Sequence, residues 1–158
     1  MTKFRVFPIL LAVIVLISNL MIPVSAEEND NKSNEIITEY FDDGSYAIIT
    51  IIEEDNNSRA TTKSGTKAYT YYSSDDEAQW TYKITGTFSY TGSSATCTAV
   101  SDSYTIVNDN WHMSSHSCSK SGNTASGTVT MKHKFLGITT STVSRNLTLT
   151  CSSTGVLS

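Results

Sequence analysis

Alternation with a period of two constrains this chain more than any other feature. Trp80, Tyr82, Ile84, Gly86, Phe88 and Tyr90 share one parity, with Thr81, Lys83, Thr85, Thr87 and Ser89 on the other. Ala125, Gly127, Val129, Met131, His133 and Phe135 repeat the pattern, as do Val143, Arg145, Leu147, Leu149 and Cys151. Successive side chains of a strand point to opposite faces, so this is the mark of half-buried antiparallel strands. No stretch has helical periodicity. Strands are expected at 67–73, 78–91, 95–107, 111–119, 124–135 and 138–151. Between them lie turn signals such as Ser73-Ser74-Asp75-Asp76, Thr91-Gly92-Ser93-Ser94 and Leu136-Gly137. Ser and Thr supply 39 of the 99 residues from Ala60 to Ser158, so aromatic residues must build much of the core.

Six strands with short connections predict an all-β, antiparallel β-sandwich. Cys97, Trp111 and Cys151 invite comparison with the immunoglobulin core, in which a Trp packs on an inter-sheet disulfide. Two features depart from it. Leu149 stands where a tyrosine corner would place Tyr, and only seven residues follow Cys151. The expectation is an immunoglobulin-like sandwich with its topology open. Cys97 and Cys151 lie on core-facing parities, whereas Cys118 has no clear face. A Cys97–Cys151 disulfide is therefore favoured over pairings with Cys118.

The start of the chain has a different character. Lys3 and Arg5 precede an apolar run from Val6 to Ile17, and Pro23 precedes Val24-Ser25-Ala26. Charged start, apolar middle and small residues at −3 and −1 predict a signal peptide over 1–26, cleaved between Ala26 and Glu27. The run is shorter than the roughly 20 residues of a spanning helix. The mature chain is expected to be secreted or held at the outer cell surface, meeting the membrane only through the signal during export. Export also makes one disulfide plausible.

Residues 27–58 carry ten acidic groups and one basic group, a net of −9, whereas 59–158 carry a net of +3. The chain thus divides into an acidic segment, 27–59, and a Ser/Thr-rich domain, 60–158. The acidic segment holds two β-prone runs around Asp42-Asp43-Gly44-Ser45, predicting a hairpin over 36–52. It reads as a solvated arm, or as a pro-segment removed near Arg59.

Chemistry-bearing motifs are scarce. His112, His116 and Cys118 share a parity, but in a strand the two histidines stand about 13 Å apart, too far to share a metal. No neighbouring carboxylate in sequence supports them, and no metal or cofactor is expected. There is no Gly-x-Ser-x-Gly elbow or His-Glu-x-x-His motif, and the charge gives no nucleic-acid footprint. Catalysis is not expected. The better lead is aromatic: Tyr71 and Tyr72 are adjacent, so in a strand they must point to opposite faces, and one can meet a ligand.

Several segments carry a resemblance: Glu39 to Tyr46, Thr62 to Lys67, Gly86 to Cys97, Ser119 to Asn123, and Leu147 to Cys151. Through them the chain resembles a group of small exported proteins of Gram-positive, gut-type anaerobic bacteria. That resemblance implies export and this organisation, but no activity. It also implies cysteines at the positions of Cys97 and Cys151, with Cys118 as a departure. The function expected is a binding module for a cell-surface protein or glycan, or else a precursor releasing an inhibitory or bacteriocin-like domain.

Overall fold

The structure, a computed structural model, describes residues 33–54 and 61–158. The signal segment, the Ala26–Glu27 junction and the processing site at Arg59 lie outside the described residues. Eight strands follow one another: β1 Ser33–Tyr40, β2 Tyr46–Glu54, β3 Thr62–Tyr72, β4 Ala78–Tyr90, β5 Ala95–Ile106, β6 Trp111–Ser121, β7 Thr124–Phe135 and β8 Ile138–Thr150. All pairings are antiparallel. One sheet has the order β1-β2-β3-β4-β5 and the other β6-β7-β8. Each strand therefore pairs with its sequence neighbour, whereas immunoglobulin sheets interleave distant strands. The architecture is a two-sheet meander, and the likeness to that fold reduces to two sheets on an aromatic core.

The alternating residues fill that core as their parity demands. Trp80, Tyr82, Ile84 and Phe88 of β4 are fully buried, beneath Val129, Met131 and Leu149 of the opposite sheet. Tyr69 and Tyr71 stack on Trp80 at 5.4 and 5.5 Å. Large aromatic side chains supply the buried area that a chain so rich in Ser and Thr lacks elsewhere. Hydroxyls line the outer faces and bond to one another across strands, as in Thr66–Thr85 at 2.8 Å and Ser117–Thr128 at 2.9 Å.

The hairpin of the acidic segment is part of the sheet. β2 runs against β3 through nine residue pairs, from Tyr46↔Tyr72 to Glu54↔Ser64, and buries Ala47 and Ile51. At the other end of the chain, Cys151 bridges to Leu157, so the tail folds back over the end of β8. Leu157 lies against Gly65, where a Cβ would collide with its side chain. Gly127 meets a similar demand, since its Cβ would stand 2.5 Å from Tyr82 Oη and closer still to Ile84. Only glycine lets β7 approach β4 there.

The tryptophan and the cysteines sit at opposite ends. Trp111 opens β6 and packs on Tyr71 and Trp80. The Cys97 N–H donates to Gly122 O at 2.7 Å and the Cys151 N–H to Asn123 O at 3.0 Å, so both residues flank the β6–β7 turn. The expected packing of Trp111 on a disulfide is thus corrected. All three cysteines are free thiols here, and the Cys97–Cys151 bond is not formed. Both of those thiols are buried in the core, and burial pushes their pKa values up.

Candidate binding groove

At the end of the sandwich that holds the β1–β2, β3–β4 and β7–β8 turns, a groove opens between the edge of β8 and the β1–β2 turn. It consists of two adjoining hollows of about 260 and 230 Å³ that share Asp43, Ser45, Tyr71 and Ser141. The first runs toward Gln79, Trp111 and His133, and the second toward Phe41 and Arg145.

The β1–β2 turn fixes one wall. The Phe41 N–H donates to Ser45 O at 2.9 Å, and Gly44 takes φ +80°, which closes the turn. Asp43 Oδ1 then accepts from both the N–H and the hydroxyl of Ser45. These bonds hold its carboxyl below the usual carboxylate range. Ser45 is itself buried, and its oxygen accepts from Tyr71 Oη at 2.8 Å. The result is a fixed relay, Tyr71 to Ser45 to Asp43, that holds an ionised carboxylate at the groove mouth. Among the described residues only Oδ1 receives these bonds.

The other wall carries the opposite charge. Arg145 is half-buried on β8, with its guanidinium 5.0 Å from the Phe41 ring centre and 5.6 Å from that of Tyr69. Its Nε donates to Tyr69 Oη at 2.8 Å and an Nη to Ser144 O at 3.0 Å. Two aromatic rings and two hydrogen bonds restrict the guanidinium, and no carboxylate among the described residues forms an ion pair with it. At the far end His133 packs edge-on to Trp111 at 5.2 Å, its Nδ1 2.7 Å from Thr140 Oγ1. A carboxylate, a guanidinium, an imidazole and several hydroxyls thus surround an aromatic floor.

The two tyrosines part company as period two requires. Tyr71 faces inward and lines the groove, its hydroxyl bonded to the buried Ser45. Tyr72 lies on the outer face, stacked on Tyr46 at 4.8 Å, with Tyr40 beyond it at 5.9 Å. The pair does not form one site. Asp43, Ser45, His133 and Arg145 are the partners of Tyr71 that sequence reasoning misses. They come from separate strands and turns, so no spacing announces them.

A second polar cluster lies where the edges of β5 and β6 meet. A bulge between Met113 and Ser115 shifts the register of β6. His112 therefore parts from His116 and Cys118, and the parity shared by all three in sequence does not survive folding. Asp102 of β5, fourteen residues before His116, supplies the carboxylate the sequence does not reveal. His116 Nδ1 stands 2.7 Å from its Oδ2, and Tyr82 Oη donates to the same oxygen at 2.9 Å. Burial pushes the Cys118 thiol up, and the Asp102 charge adds to this. The thiol stays protonated at neutral pH and is a poor nucleophile. Among the described residues no group of three His, Cys, Asp or Glu side chains is arranged to hold a metal ion.

No protein-family model, curated protein or solved structure matches the chain.

Proposed function

We propose that this protein is an exported binding module whose groove takes a hydroxyl-rich, ring-bearing ligand of a cell surface, a glycan in the first instance. One observation carries the reading: the relay-held carboxylate of Asp43 and the ring-clamped guanidinium of Arg145 face a shared groove that Tyr71 also lines. Sugars present apolar ring faces and a rim of hydroxyls that both donate and accept. The hydroxyl rim suits a concave surface lined by fixed charged groups and hydroxyls, here Asp43, Arg145, Ser141 and Ser144. The signal-like first 26 residues and the resemblance to exported Gram-positive proteins support the location. Binding rather than catalysis fits Cys118, whose thiol is kept protonated by burial and by the Asp102 charge.

The precursor reading draws less support. Releasing the 60–158 domain would take more than a cut near Arg59: β2 would also have to be stripped from β3, uncovering the core that Ala47 and Ile51 help to close. The test is a screen of the full chain against an oligosaccharide array, followed by titration of the best binder. Asp43→Asn and Arg145→Gln should each weaken binding about tenfold, the scale of a charge-assisted hydrogen bond. Affinity unchanged by both substitutions would remove the groove from the reading.

A further inference from the structure

The β7–β8 hairpin ends in an arrangement that folding alone does not favour. Its two-residue turn is Leu136-Gly137, with φ +49° and +80°. A turn with positive φ at both central residues calls for Asn-Gly or Asp-Gly, because an L-residue with a bulky side chain is strained there. Leu136 carries that strain and is also 87% exposed. Phe135 and Ile138, the pair that closes the turn, are 60% and 70% exposed. Three large apolar side chains thus stand together at a tip, one of them in a backbone conformation it disfavours.

Immediately behind the tip the surface turns basic. His112 pairs with Lys132 across β6 and β7, and both line a hollow of about 250 Å³ with Lys134 and Thr139. Neither lysine joins an ion pair among the described residues. The β5–β6 connection flanks the hairpin base, where the Lys134 N–H donates to Asn110 O at 2.8 Å. That connection adds the exposed Val107 and one carboxylate, Asp109.

From the apolar tip, the unpaired basic collar and the strained, exposed Leu136 together, we infer that this hairpin docks the protein on an anionic phospholipid surface. Phe135, Leu136 and Ile138 enter the headgroup–acyl boundary. Lys132, Lys134 and His112 receive lipid phosphates. The division of labour is that of interfacial anchors, in which apolar insertion and electrostatic attraction add. A soluble polyanion would use the collar and leave the tip without a role; a bilayer uses both. The site is separate from the groove, so either can fail alone.

The full chain carries the apolar run of residues 6–17, which itself partitions into lipid. Total binding is therefore not the readout. Ile138→Trp places a reporter at the tip, against a background of two buried tryptophans, Trp80 and Trp111. Vesicles of phosphatidylcholine with phosphatidylglycerol should shift its emission to the blue, and brominated acyl chains should quench it. Pure phosphatidylcholine should do neither. In the same reporter chain, Leu136→Asn, or Lys132→Gln with Lys134→Gln, should raise the lipid needed for half-maximal quenching about tenfold or more. Absent quenching on vesicles that retain the protein, or equal quenching on neutral vesicles, overturns the proposal. A lipid-independent blue shift that grows with protein concentration does so too, because a second copy then covers the tip.

Discussion

Replacing Leu136 by Asn should stabilise this protein, which is not what removing a large apolar residue usually does. At φ +49° the leucine pays the left-handed penalty of an L-residue, about 1–2 kcal/mol. Asn relieves much of that penalty and precedes Gly137 in the sequence that such a turn favours. Nothing is lost in return, since a side chain 87% exposed contributes almost no burial. The expected gain is about 1 kcal/mol, or roughly 4 °C in Tm for a chain of this size. Urea unfolding of the full chain, followed through the buried Trp80 and Trp111, reads it as a higher midpoint at unchanged slope. Leu136→Ala is the control: it trims the side chain but keeps the strained backbone, so its midpoint should barely move. An unchanged or lower midpoint for Leu136→Asn would refute the reasoning, because Leu136 would then be holding the turn through contacts of its own. With the vesicle measurement, one substitution should strengthen the fold and weaken docking, a separation that a merely structural leucine cannot produce.

Two further outcomes follow from the core and from the β5–β6 edge. Gly127→Ala should cost about 1–3 kcal/mol, because the new Cβ meets Tyr82 Oη and Ile84 in a packed interior, and the same unfolding curve measures it. Burial pushes the Asp102 carboxyl up, but hydrogen bonds from His116 and Tyr82 outweigh this and hold it below the usual value. A group depressed in the folded state contributes stability that is full above its unfolded pKa, about 3.9, and is lost as pH falls through the folded value. Asp102→Asn should therefore lower stability at pH 7 and flatten its fall below about pH 4. A parallel fall in both proteins would show that Asp102 is not responsible.

Local pattern carries most of this fold. The alternation from Trp80 to Tyr90 marks β4, and the segments expected at 124–135 and 138–151 coincide with β7 and β8 to within a residue. β3 begins five residues before the expected position because Thr62 to Thr66 show no clean alternation. Gly65 has its place there because Leu157 lies over it, a contact across most of the chain. The hairpin of 36–52 is legible as a hairpin, but its docking on β3 is not, since an alternating strand names a face and not a neighbour. The bulge at Met113–Ser115 is equally silent, and it turns His116 to the face opposite that of His112. The groove is least legible of all. It gathers Asp43, Tyr71, His133 and Arg145 from distant parts of the chain, and only Tyr71 stands out by its neighbours.

One feature of the sheets bears on how long such a protein lasts. Every lysine and arginine among the described residues, from Lys63 to Arg145, lies within a strand, and Arg59 falls between β2 and β3. A peptidase specific for basic residues must draw an extended stretch of backbone into its cleft, and a strand held in a ladder offers none until the ladder opens. Cleavage within the sheets then waits on unfolding, so digestion times measure the opening equilibrium or its rate. A cut at Arg59 is different in kind. It breaks the chain while leaving the nine residue pairs of β2 and β3 in place. The two fragments would remain one body, parting only when denaturant dissolves the sheet.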